Sequence, residues 1–375
     1  MQRRKLLQTL GAGALLASVA SCAPTIPPAP SYKRPYSRKT FVAPRVSMDS
    51  VIRVVVGHRP YRPAGFVVKS EQMDAKTVVH NYGHGGGGLS LSWGSSALAV
   101  RETLGMIPGD VAVIGSGVMG LTSARLLQDT GWNVTIYSRD PARHTTSNVA
   151  AGEWGPFSVH DPAVASEAFL SQLNWAAKIA HHAYTNLTGP DYGIRWLEYY
   201  TLSETPFASD FTGTEEEAKL YSYKGNLGPG EHPFPVPYVQ HAVTMQIDPA
   251  VLLRRLTQDF QLAGGNFVVR EFSDLPDVLS LAEPVIFNCT GLGARVLFDD
   301  QELTAAKGQL VHLPPDPAVD YMTFGGGHGM LHMFPRSDVL LMGGIFKAGD
   351  FTTHVEPDQT ERIVTEHQRL FDALG

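Results

Sequence analysis

Residues 111–137 constrain the fold more than any other stretch of this chain. Val111-Ala112-Val113-Ile114 is a short apolar run, as a strand buried on both faces requires. Gly115-Ser116-Gly117-Val118-Met119-Gly120 follows at once. Apolar residues then recur at helical spacing from Leu121 to Thr130, where Gly131 stops the helix, and Asn133 to Tyr137 reads as a second strand. Strand, glycine turn, helix and strand make a dinucleotide-binding unit. The glycines allow the tight turn and let a pyrophosphate approach the helix N-terminus, where free N–H groups and the helix dipole favour anions. The expected fold class is therefore α/β with a Rossmann-like domain, and Gly115, Gly117, Val118, Met119 and Gly120 are its cofactor-binding candidates. An acidic residue about 20 positions on should hold the ribose hydroxyls. Asp140, ending Tyr137-Ser138-Arg139-Asp140, is the available carboxylate, although it also suits a turn before Pro141.

The remaining composition is that of a globular protein. With 375 residues, 43% of them hydrophobic, the chain suits roughly two domains. A net charge of -6 without basic clusters in the body argues against nucleic acid as a partner. Residues 1–22 read as an export signal. The basic start Met1-Gln2-Arg3-Arg4-Lys5 precedes a glycine-broken apolar stretch that is too short for a confident membrane span. Its paired arginines resemble a twin-arginine signal, and Val19-Ala20-Ser21-Cys22 resembles a lipoprotein box that would lipidate Cys22 and anchor the protein at a membrane. A plain secretory signal cut near Ala20 or Ala23 is the alternative. The expected location is the periplasm or its membrane surface. Residues 23–46, rich in Pro, Ser, Lys and Arg, read as a solvated tether. Cys289, the other cysteine, ends an apolar run and is most simply a buried small residue.

A second motif precedes the first. His80-Asn81-Tyr82-Gly83-His84-Gly85-Gly86-Gly87-Gly88 follows the strand-like Thr77-Val78-Val79, and four consecutive glycines let backbone pass close to a ligand. The apolar run Ala97 to Val100 suggests a helix behind the loop, starting near Ser92. His80 and His84 are four apart, but the glycines argue against a helical metal pair and no third ligand is evident, so no metal site is expected.

The His80 to Trp93 segment resembles the closing motif of the D-amino acid oxidase family. So do His144-Thr145-Thr146-Ser147-Asn148-Val149-Ala150-Ala151-Gly152, Phe287-Asn288-Cys289-Thr290-Gly291, Lys307 to Val311 and Leu341 to Phe346. In that family the glycine loop and an arginine motif, here His58-Arg59-Pro60-Tyr61-Arg62-Pro63, come after the fingerprint. Here they come before it, and the chain ends on the helix Pro357 to Leu374 that should lead into them. The resemblance therefore implies a circularly permuted member, in which the strand Ile52 to Val56 lies beside that helix and the two chain ends are close together. A mixed-sheet substrate domain (47–60, 190–280 and 305–375) would join an FAD-binding domain (61–189 and 281–304).

The resemblance further implies FAD as cofactor. Its contacts would be Thr145, Thr146, Ser147, Ala151, Gly152, Gly85, Gly86, Gly87, Gly88, Leu89, Ser90, Cys289, Thr290 and Gly291, besides the fingerprint and Asp140. Arg62 resembles the arginine that clamps a substrate carboxylate, although its flanking prolines also suit a surface turn, and Arg59 is expected to be structural. The Gly86 backbone would place the substrate amine, and Tyr223, Tyr238 or His241 would support the carboxylate. Glu153 stands where mammalian members have an apolar residue, and would favour a basic D-amino acid. The implied reaction takes a D-amino acid and dioxygen to a 2-oxo acid, ammonia and peroxide. Another amine or imino acid oxidase, a dehydrogenase, or a non-catalytic flavin-binding lipoprotein are the alternatives.

Overall fold

The computed structural model describes residues 41–211, 214–327 and 330–374, with the Tyr223 side chain also outside the described part. The export-signal expectation and Cys22 lie outside these residues. Among the described helices none is long and apolar enough to cross a membrane.

Among the described residues fifteen strands form two sheets. In chain order they are β1 (Arg53–Tyr61), β2 (Val67–Met73), β3 (Lys76–Tyr82), β4 (Asp110–Ile114) and β5 (Asn133–Ser138). Then come β6 (Ile194–Ser203), β7 (Tyr223–Leu227), β8 (Tyr238–Ile247), β9 (Asn266–Val269) and β10 (Val285–Asn288). The last are β11 (Thr304–Leu313), β12 (Tyr321–Gly325), β13 (His332–Pro335), β14 (Leu340–Gly343) and β15 (Lys347–Ala348). The longer helices are α1 (Gly88–Arg101), α2 (Val118–Asp129), α3 (Glu167–Asn186), α4 (Pro249–Leu262) and α5 (Pro357–Asp372).

The smaller sheet runs β2-β3-β10-β4-β5-β9. All neighbours from β3 to β9 are parallel, and only β2 is antiparallel. Its central strand β10 is buried throughout, matching the continuous apolar run that a doubly covered parallel strand needs. The larger sheet runs β1-β11-β14-β13-β12-β6-β8-β7, with β15 added to β11. It is mixed, because β12 runs parallel to β6 while its other pairings are antiparallel. The observed class is thus the expected α/β pairing of a dinucleotide-type sheet with a mixed sheet.

Alternation along the strands gives the larger sheet two apolar faces. Tyr199, Leu310, Met322, Phe334 and Leu341 join the core that also holds the fingerprint strand and helix. Tyr200, Val311, Tyr321, Met333 and Met342 face the other way, onto Ile363, Val364, Leu370 and Phe371 of α5. The first face belongs to the site described below.

Three boundaries differ from expectation. Phe41 packs edge-on against Tyr200, Phe234 and Tyr321, and Val46 is buried, so residues 41–46 are anchored on the core rather than a solvated tether throughout. Strand β9 completes the smaller sheet and α4 packs on α2, so residues 249–269 belong with the nucleotide unit. Helix α1 opens at Gly88, one turn before Ser92. Glycine there lowers helix propensity, and the packing of α1 on α2 and α3 overrides it.

Candidate active site

Strand β4 delivers Gly115 to Gly117 directly to the N-terminus of α2, whose N-cap is Gly117. The Val118 amide donates to the Ser147 hydroxyl at 3.0 Å. A Cβ on Gly117 would lie 3.2 Å from that hydroxyl, and one on Gly120 would come within 1.9 Å of the Gly115 carbonyl. Bare backbone here forms a cradle that side chains would fill, which fits a pyrophosphate. The single-turn helix Thr146–Val149 brings Thr145, Thr146 and Ser147 over this turn, and Thr145 is fixed by a 2.7 Å bond to the Ala142 carbonyl. Ala151 and Gly152 then reach β8, where Ile247 donates to the Gly152 carbonyl.

Asp140 meets the fingerprint through its backbone. Its carbonyl accepts from Ser116 at 2.6 Å and Ser138 at 2.7 Å, while its carboxylate pairs with Arg139 at 2.7 Å. On the other flank the Cys289 amide donates to the Ile114 carbonyl, and Thr290 is held by Asn288. Gly291 opens the next turn. The Cys289 thiol is buried and pushed up to about 12, so it is inert, as the sequence suggests.

The glycine loop packs against this unit through its polar residues. Asn288 donates to His80 Nδ1 at 3.0 Å, Tyr82 donates to Asp300 at 2.8 Å, and His84 Nε2 pairs with Ser95 at 2.9 Å. His84 also stacks on Phe66, and burial pushes it down to about 3, so it is neutral. Both histidines are therefore hydrogen-bonding residues. Among the described residues no group of three or more His, Cys, Asp and Glu is placed to hold a metal.

Gly85 to Gly87 form a 3₁₀ turn, Gly88 starts α1, and Leu89 and Ser90 lie in its first turn. Gly85 has φ +53°, and a Cβ there would meet the Ser158 carbonyl at 2.2 Å. The Gly86 amide donates to that same carbonyl, so only its carbonyl is left to face a ligand. Ser90 donates to the Gly155 and Glu153 carbonyls, and this ties residues 153–155 to the start of α1.

Of the two arginines in the motif, it is Arg62 that is neutralised by protein. Its Nε donates to Asp300 at 3.0 Å, and Nη2 pairs with Glu302 at 2.8 Å. It lies in an open cleft with Lys69, Glu71, His80 and Tyr82. Arg59 is different. Its Nη1 is buried without a hydrogen-bond partner, and burial lowers its pKa. It crosses Gly308 of β11, where a Cβ would come within 2.6 Å of Nη1, and lies 5.7 Å from the Phe346 ring. Its same-face neighbours on β1 are Gly57, packed on Val149, and Tyr61, which touches the glycine loop at Gly85. Arg59 thus sits between the Thr146–Val149 turn and the glycine loop.

The aromatic candidates separate by face. His241 stacks on Tyr200 with ring centroids 4.7 Å apart, on the α5 side of the sheet. This corrects its expected role, because a substrate facing Arg59 lies across the sheet from it. Tyr238 pairs with Ser203 and Ala242 with Tyr199, so Tyr238 shares the face of Tyr199. Sequence reasoning missed Tyr199. The only available signal was the strand period in Tyr199-Tyr200, which places one ring on each face.

Comparison with known proteins identifies the family. The FAD dependent oxidoreductase (DAO) family matches residues 110–375. The chain belongs to that family. A D-amino-acid oxidase from Streptomyces coelicolor is 28% identical over 269 residues, covering 68% of this chain and 76% of the relative. Human D-aspartate oxidase is 26% identical over 268 residues, covering 68% and 74%. The glycine oxidase of Geobacillus kaustophilus shares the fold with a TM-score of 0.52 at 21% identity, covering 70% of this chain and 78% of that one. FAD is the cofactor, and the glycine cradle with Thr145 to Ser147 above it are the groups that would hold its phosphates.

Proposed function

We propose that this chain carries out the oxidative deamination of a D-amino acid. The net reaction takes the amino acid, water and dioxygen to a 2-oxo acid, ammonia and hydrogen peroxide. The supporting observation is Arg59, a buried guanidinium with a partnerless Nη1 on the sheet face between two cofactor-side loops. A buried cation left unpaired is costly, and a carboxylate offers its fork two parallel hydrogen bonds. The carboxylate role therefore moves from Arg62 to Arg59. FAD supplies the two-electron chemistry when bound. The protein's part is to fix the carboxylate on Arg59, to present the Gly86 carbonyl to the amine, and to aim the N-terminus of α1 at developing negative charge. Tyr238 shares this sheet face but lies on β8, one strand beyond β6, so it is not given the carboxylate on Arg59.

The order of the motifs supports circular permutation as part of this proposal. The matched family region starts at residue 110, while β1 and β3 pair with β11 and β10 inside it. Export with a lipidated Cys22 is also proposed, and mass spectrometry of the mature N-terminus tests it. Activity is tested with purified holoprotein and a panel of D- and L-amino acids, measuring peroxide with and without an artificial acceptor. Turnover of D-isomers with peroxide release is expected. Turnover only with the acceptor makes the protein a dehydrogenase, and no flavin reduction by any amino acid refutes the proposal.

A further inference from the structure

The sheet face that carries Arg59 ends, several strands away, in a group of buried polar atoms that the reading above leaves unused. Glu153 follows Gly152 on the segment tied to Ser90, and its Oε1 is buried without a hydrogen-bond partner. The Tyr199 hydroxyl hydrogen-bonds the Glu153 carboxyl, and Tyr221, close to the same carboxyl, has a buried hydroxyl with no partner. The neighbouring Trp154 Nε1 and His181 Nε2 also lack partners. The Trp154 ring centroid lies 4.9 Å from that of His181 and 5.9 Å from that of Tyr221, so these side chains neighbour one another, and Tyr221 links them to Glu153. Buried polar atoms in folded proteins are nearly always paired. Four unpaired atoms together mark a place prepared for a polar guest.

The chemistry of the group indicates the guest. A carboxyl and two phenols dominate it, and no cation is among the influences on Glu153. A cationic side chain would supply N–H donors to Glu153 Oε1 and to the Tyr221 oxygen and would favour the ionised carboxylate, whereas an anionic one would be opposed by that carboxyl. Length is set by the sheet. Three strands, β14, β13 and β12, separate β11, over which Arg59 lies, from β6, which carries Tyr199. A substrate with its carboxylate on Arg59 needs a long side chain to reach Glu153.

We propose that Glu153, with Tyr199 and Tyr221, forms the side-chain recognition end of the substrate site and accepts a long cationic side chain, an amine or a guanidinium. The inference rests on the amino acid oxidase reading of Arg59. Holoprotein is assayed with D-arginine, D-lysine, the neutral D-norleucine and the acidic D-glutamate. Wild type is expected to favour D-arginine over D-norleucine in kcat/KM by tenfold or more, mainly through KM. Glu153→Leu should bring that ratio near one. Glu153→Gln, which keeps the shape but cannot ionise against a bound cation, should do the same if the leucine variant fails to fold, and Tyr221→Phe should lower the ratio less. A wild-type preference for D-glutamate or D-norleucine overturns the inference. So does a ratio unchanged in the Glu153 variants, which would leave the group as a site for ordered water only. Oxidation of neutral D-amino acids without a cationic preference sinks this inference alone, whereas no oxidation of any amino acid sinks the proposed function with it.

Discussion

Asn81 Nδ2 donates at 3.1 Å to the hydroxyls of both Ser96 and Ser123, so one buried amide joins β3 to the glycine-loop helix and the fingerprint helix. Its carbonyl accepts from Ser95 at 3.0 Å. Asn81→Leu removes one hydrogen bond from each of these three hydroxyls in a fully buried site, while Ser95 keeps His84 and Ser96 keeps Thr122 and Ser123. Each unmade bond costs on the order of 1 kcal/mol, so a loss of about 3 kcal/mol is expected. Urea unfolding monitored by flavin fluorescence checks this, and a midpoint equal to wild type would refute it. Ser123→Ala should cost about a third as much.

The two arginines should fail in different ways. Arg59→Met removes the buried guanidinium from the sheet face, and kcat/KM for amino acids should fall by about 10² or more, most of it in KM. Arg62→Ala leaves Asp300 and Glu302 unpaired, while Tyr82 still donates to Asp300. Because Glu302 is exposed, the expected loss is about 1 kcal/mol of stability with KM changed little. Steady-state kinetics paired with thermal unfolding separate the two, and a KM effect confined to Arg62→Ala would reverse the assignment.

The two arginines also show how far the sequence could be read. The fingerprint, its flanking strands and the β3 motif were legible because local chemistry determines them: a glycine turn, a continuous apolar strand, a buried amide. The resemblance points to Arg62, with a surface turn at its flanking prolines as the alternative. The proposal of Arg59 rests instead on β1 continuing through Pro60 and setting Arg59 inward against β11, which no local pattern announces. Asp300 and Glu302, which neutralise the other, lie 238 and 240 positions further on in the chain, beyond any local pattern. His241 failed for the reason that makes strands hard to orient, since a one-residue difference sends a side chain to the opposite face.

Glu153 should carry a pH-dependent burden. Burial raises its carboxyl from 4.5 to about 8. The folded state then holds a proton that the unfolded chain has released, so stability falls as pH rises from about 4.5 towards 8. The full difference is of the order of a few kcal/mol. Glu153→Gln removes the titration, so its melting temperature relative to wild type should rise across that window and level off above it. Parallel melting curves at pH 5 and pH 8 would disprove the burial of this carboxyl.

On the acid side the histidines act together. Burial holds His84 and His332 at about 3 and His312 and His367 at about 4, each below the usual 6.5. Below pH 6.5 the unfolded chain binds protons that these rings refuse, so their contribution is intact above 6.5 and is lost as pH falls towards 4 and then 3. A steep fall in denaturant midpoint between pH 6.5 and 4 is expected. His332→Gln, which keeps a polar group facing Met330, should make that fall shallower, and an unchanged slope would remove His332 from the account.

Permutation makes a prediction that can be built. Val46 and Val51, near the start of the described chain, share one apolar cluster with Phe371 and Leu374 at its end. A flexible linker of about ten residues spans a gap of some 15–20 Å, enough to join the two. The link between α1 and β4 is a natural cut, because Leu104 is 77% and Ile107 91% exposed and neither supports the core. A chain running from residue 108 to 374, then the linker, then residues 41–104, places the glycine loop after the fingerprint, the order that the family resemblance implies. It keeps every pairing of β1 with β11 and of β3 with β10. The rearranged protein should bind FAD and retain kcat/KM within about threefold, because no group facing Arg59 is moved. Failure to take up flavin, while remaining soluble and compact, would show that the present order of the chain is needed for the site and that permutation is the wrong description of it.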